Sequence, residues 1–200
     1  RHTIDEFLVA PIKRTQVLLS YVISAILITF IISMSLFIIA ELYILSSGGN
    51  LLSIIQILKV IGIIILSVIS STLFMLLFVS FFKNEQAYAT FSTIVGTLIG
   101  FVTGAYIPMG IMPKFIQTFS NILPVSQVSS LLRKIFLEYP SSIVFANNPE
   151  HLKDYYYTQG VNLYFGNTEL SFNFMIIYIL IAIIILFILN ILRFKYLKNK

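Results

Sequence analysis

From residue 16 to residue 45 the chain carries a single charged side chain, Glu41. About 20 apolar residues cross the hydrocarbon core of a bilayer as a helix. With no water at that depth, a segment must satisfy its own backbone N–H and C=O groups, which a helix does and a lone strand cannot. Residues 16–45 are therefore predicted as a transmembrane helix with length to spare for tilt. Three further apolar runs follow, at residues 59–82, 87–107 and 172–192. Charged residues make up 10% of the chain, against about a quarter in soluble domains. That is too few to coat a water-facing surface, so the expected fold is an all-α integral membrane protein with four transmembrane helices.

The run that organises the bundle is expected to be the third. It begins at the polar Gln86 and ends in a Pro-Gly-Pro break at residues 108–113. Gly96, Gly100 and Gly104 recur every four residues, with Ser92 one turn earlier. That spacing puts all four on one helix face. A row of small residues lets another backbone approach closely, which matters in lipid because apolar burial does not itself drive helices together. The row is read as a helix-packing face; glycine merely tolerated in a membrane helix is the alternative.

Residues 1–15 are short and amphipathic. Thr3 and Glu6 fit a capping box, Ile4, Phe7 and Leu8 share a face, and Pro11 ends the turn. Lys13 and Arg14 precede the first span. A helix lying along the cytoplasmic surface fits these residues, and so does an ordinary connector. Near the far end of the first span, Glu41 lies close to Tyr43 and the SSGGN turn at residues 46–50. A carboxylate in an apolar run invites a functional hypothesis, but this location favours an interfacial, hydrated one. After the third span, Pro108, Gly110, Pro113 and Pro124 interrupt a stretch that stays apolar and periodic. Its two pieces are each too short to cross, so residues 108–138 are expected to form a re-entrant helical hairpin in the outer leaflet, ended at the interface by Arg133, Lys134 and Glu138. Residues 139–171 are the water-soluble stretch, an extracytoplasmic loop whose Tyr155, Tyr156 and Tyr157 suit an interfacial belt better than a cargo surface. Residues 193–200 form a basic tail.

Arg1, Lys13, Arg14, Lys83 and the tail cations mark one side of the membrane, and the short loop at residues 46–50 carries none. Four spans with both ends cytoplasmic satisfy the positive-inside bias, and that bias accounts for the net charge of +5 without a nucleic-acid partner. The chain opens on Arg1 and is expected to be a piece of a longer polypeptide. There is no cysteine, hence no thiolate chemistry. No GxxxxGK[ST], HExxH or GxSxG motif and no pair of intramembrane carboxylates occurs, so no catalytic, cofactor-binding or metal residue is nominated. If cargo moves, its driving energy is expected from elsewhere.

The order of these parts, with residues 5–14 (DEFLVAPIKR) before the first span and residues 93–97 (TIVGT) leading into 106–110 (YIPMG), resembles the permease subunit of type 2 ABC exporters, the branch linked to drug and antibiotic efflux. The resemblance covers essentially the whole chain, as the last four of the family's six spans. It implies that Thr3, Asp5, Glu6, Phe7, Leu8 and Val9 belong to a coupling helix docked on a separate ATPase subunit. It also implies that a second permease copy or homologue pairs with this one in the plasma membrane. Pro108, Gly110, Pro113 and Pro124 would belong to the outer gate. The expected function is export of a hydrophobic or amphipathic substrate such as a drug, antibiotic, peptide, lipid or glycan. A non-transporting structural or sensory membrane protein, or a secondary transporter, are the alternatives.

Overall fold

The computed structural model describes residues 14–82, 84–166 and 168–198. The protein is an all-α membrane protein. Its elements are α1 (Arg14–Ser46), α2 (Ile54–Val79), α3 (Glu85–Val102), a single 3₁₀ turn (Met109–Ile111), α4 (Lys114–Ile122), α5 (Pro124–Val144), α6 (Pro149–Thr158), a two-residue ribbon of β1 (Tyr164–Phe165) and β2 (Thr168–Glu169), and α7 (Phe172–Lys198). The ribbon is antiparallel and pairs Tyr164 with Glu169. Among the described residues, three helical segments are long and apolar enough to cross a bilayer: Leu19–Ser46, Ile54–Val79 and Phe172–Lys195.

The centre of the fold is α2, which packs against α1, α5 and α7. Val60, Ile63, Ile64 and Val68 of α2 are buried with Val128, Leu131 and Ile135 of α5, and with Met175 and Ile179 of α7. Large apolar side chains on the outer surfaces, including Leu27, Ile31, Leu36 and Ile39 of α1 and Ile184 and Ile188 of α7, stay more than two-fifths exposed. Apolar bands of that extent belong against lipid.

The second helix starts earlier than the expected residue 59. Ser53 accepts from Gln56 N, and the Gln56 side chain accepts from Ser53 N, a reciprocal cap that moves the start to Ile54. Glu41 is tied into the same connection: its Oε2 accepts from Leu52 N at 3.2 Å. The carboxylate therefore anchors the α1–α2 loop.

The third helix departs further from expectation. It ends at Val102, short of residue 107, because Gly104 takes φ +72° and turns the chain. The N–H groups of Thr103 and Gly104 close on Ile99 O and Phe101 O, and those of Ala105 and Tyr106 both on Gly100 O. At 18 residues, α3 is about 27 Å long. It buries no residue in this chain, so α2 takes the central position expected of the glycine-faced helix. Val and Ile side chains interlock there, whereas a glycine row fills space only when another backbone is pressed onto it.

Two polar clasps hold α7 along α2. Buried Asn190 donates Nδ2 to Leu73 O at 3.0 Å and to Leu186 O at 2.8 Å. Arg193 donates to Ser80 Oγ at 3.3 Å and Ser80 O at 3.2 Å and lies 4.3 Å from the Phe81 ring centroid. Asn190→Leu is expected to lower the stability of the α2–α7 pair by about 0.6–1.7 kcal/mol, the range for interhelical hydrogen bonds in membrane bundles. Reversible denaturant titration in mixed micelles measures it.

Candidate functional site

The segment from Gly104 to Gly160 is where the backbone leaves regular spans, and its composition explains how it can do so. Pro108 and Pro113 hold extended conformations before the 3₁₀ turn and α4. Pro124 occupies the first turn of α5, where a missing N–H costs nothing. Pro140 lies inside α5, and the helix passes through it to Val144. α5 thus runs beyond residue 138, where the expected hairpin was to end, and Arg133, Lys134 and Glu138 lie within the helix instead of at its end.

Irregular backbone near a membrane must find hydrogen-bond partners in the protein. Here polar side chains supply them. Gln127, fully buried, donates to Asn121 O. Asn121 donates to Tyr164 O at 2.8 Å, and Ser130 to Val161 O at 2.6 Å. Ser126 donates to Val102 O at 3.3 Å, and Tyr178 donates to Ile122 O. Gln117 donates to Met112 O at 2.8 Å while its Oε1 accepts from Tyr157 O–H at 3.2 Å. Ser141 Oγ and Tyr156 OH lie 2.6 Å apart. Sequence reasoning nominated none of Asn121, Ser126, Gln127 or Ser130. The signal available was PVSQVSS at residues 124–130, a polar stripe in a stretch otherwise read as apolar.

Two glycines make close approaches. A Cβ on Gly110 would lie 2.6 Å from Thr158 Cα, so the 3₁₀ turn and the end of α6 meet backbone to backbone. Gly160, at φ +65°, faces Met109, whose Cβ would be 2.9 Å from an added Cβ. Of the four expected gate residues, Gly110 lies in the 3₁₀ turn, Pro108 and Pro113 flank it, and Pro124 opens α5.

The glycine row separates. Gly96 has open space around it. Gly100 is covered by the ring of Tyr106 from its own chain, which also meets Phe101 edge-on at 5.1 Å. Gly104 lies past the helix end. Ser92 Oγ is buried with no hydrogen-bond partner among the described residues. Gly100→Leu is expected to cost about 1–3 kcal/mol by overpacking against Tyr106, and most of that should return in a Gly100→Leu, Tyr106→Ala double variant. Thermal melts of the single and double variants check it. Thr3, Asp5, Glu6, Phe7, Leu8 and Val9 lie outside the described residues.

What residues 104–160 offer, among the described residues, is irregular backbone stitched to the bundle by side chains. The family model for ABC-2 type transporters matches residues 1–137. The chain belongs to the ABC-2 type transporter family. The match runs from residue 1 through α4 and most of α5. No curated protein and no solved structure matches the chain. An ABC-2 membrane component is the transmembrane part of an ABC transporter and is not itself catalytic.

Proposed function

We propose that this chain is the permease half of an ATP-driven exporter in the plasma membrane, moving a hydrophobic or amphipathic substrate such as a drug, antibiotic, peptide, lipid or glycan. The family match is the observation that carries the reading. Two features support it. The sequence contains no phosphate-binding loop of its own, and the sequence before the first span has an amphipathic pattern followed by Lys13 and Arg14. In this reading α3 also crosses the membrane, making four spans with α1, α2 and α7, both ends are cytoplasmic, and residues 108–124 lie outside as the gate. Residues 3–9 dock on a separate ATPase, whose closure rocks the bundle between inward- and outward-open forms. Two permeases pair, and the open face at Gly96 leaves room for a partner backbone.

The test is reconstitution of the full permease with its ATPase in vesicles. Expected is export of a fluorescent amphiphile that needs ATP and stops when either subunit is left out. Export driven by a proton or sodium gradient without ATP would overturn the reading.

A further inference from the structure

We propose that the cavity between α5 and α6 binds the anionic headgroup of an amphiphile, with Arg133 as the cation that holds it. The cavity is an open groove of about 320 Å³. That is the low end for ligand sites, large enough for a headgroup and the first carbons of a chain. Its polar lining is Ser129, Arg133, Tyr155 and Gln159, and its apolar lining is Leu132, Phe136 and Leu137. Ser129, Arg133 and Leu137 are spaced by four along α5, and Tyr155 of α6 lies four before Gln159, the residue that caps it. Each helix thus offers one face to the same space. The lining as a whole combines one cation, neutral hydrogen-bonding groups and an apolar wall.

Charge balance singles out Arg133. Its Nη2 donates to Gly104 O at 3.0 Å, and its Nη1 lies beside Gly104 and Gly160, where an added Cβ would meet it at 3.5 and 3.2 Å. A guanidinium has more N–H donors than that one bond uses, and among the described residues no carboxylate is at ion-pair distance. Lys134, the next residue, does have one: its Nζ is 3.6 Å from Glu169 Oε1. Burial lowers the Arg133 pKa from its ordinary value, with no compensating anion. A half-buried cation is costly unless an anion accompanies it. The bond to Gly104 O explains why a donor is needed at this point but not why it is a full charge. An anionic group in the adjoining cavity explains both, since charge-assisted pairing to a phosphate or carboxylate uses the remaining donors. The cavity's place at the outer face rests on the topology proposed above; the binding itself does not.

The test uses the full polypeptide in an uncharged detergent. The apparent Kd is read from the thermal midpoint on titration with phosphatidylglycerol, phosphatidylcholine or inorganic phosphate. Arg133→Gln removes the cation. Ser129→Phe fills the cavity and leaves the Arg133–Gly104 bond in place, so loss of fold in the first variant does not decide the matter. Expected is phosphatidylglycerol binding that weakens at least about tenfold in each folded variant, with phosphatidylcholine weak throughout; one charged hydrogen bond corresponds to that factor or more. Equal binding of both lipids, or parental affinity for phosphatidylglycerol in Ser129→Phe, overturns the proposal. Inorganic phosphate binding as tightly as phosphatidylglycerol also overturns it, because the apolar wall would then contribute nothing. None of these measurements involves ATP or transport, so their failure and the failure of the exporter reading are separate events.

Discussion

Gly110→Val is expected to unseat α6 from the 3₁₀ turn and to cost about 3 kcal/mol, the upper part of the range for overpacking. The reason is geometric. The first added carbon would stand 2.6 Å from Thr158 Cα and 3.1 Å from Thr158 N, and both of those atoms are backbone. A flexible side chain could swing away, as Tyr106 can from Gly100, but a helix end has to move as a body. Moving it breaks the Tyr157–Gln117 hydrogen bond and strains the Tyr156–Ser141 contact. Gln117 also holds Met112 O, so the turn loosens from both sides. The measurements are a thermal melt of the purified protein and limited proteolysis within residues 145–171. A lowered midpoint with faster cleavage there is expected. A variant that melts and resists protease like the parent would mean that this backbone contact is absent.

The second large effect concerns export. Phe7→Asp or Leu8→Asp is expected to abolish ATP-dependent transport while the protein still inserts in the membrane. A lone carboxylate in a desolvated docking groove costs about 3 kcal/mol or more, roughly a hundredfold in occupancy of the docked state. Conservative Phe7→Leu should retain most activity, because it keeps the apolar face. Vesicle transport and membrane-fraction yield, measured together, separate uncoupling from misfolding. Unimpaired ATP-driven export in the aspartate variants would count against the docking role.

Much of the architecture could be read from residue order, because lipid imposes a simple rule. Long runs without charge become helices, and residues 16–45 and 172–192 were legible on that ground alone. The break at Pro108–Pro113 and the helical pieces after it were legible for the same reason: proline and glycine punctuate a helix wherever it lies. What escaped was set by tertiary partners. The run to residue 107 looked like continuous helix, yet Gly104 turns the chain, and the carbonyl it exposes is met by Arg133 from 29 residues on. Arg133 itself resembled an interfacial cation in sequence and is turned inward in the fold. Arg133, Lys134 and Glu138 suggested an end to the apolar stretch, but α5 continues past them, and through Pro140, to Val144. The row of small residues suggested a central helix, whereas valine and isoleucine of α2 fill the centre of this chain. A glycine row states that something comes close; it does not say whether that something is a neighbouring helix, a tyrosine of the same chain or another subunit.

The most direct measurement is sidedness at position 6. The chain contains no cysteine, so Glu6→Cys introduces a single reactive thiol within the predicted coupling element. In sealed right-side-out vesicles, an impermeant maleimide added outside should leave it unlabelled. The same reagent should label it in inverted vesicles, with protection when the ATPase subunit is bound. Labelling from the outside, or equal labelling with and without the ATPase, would contradict a permease driven through its cytoplasmic lip.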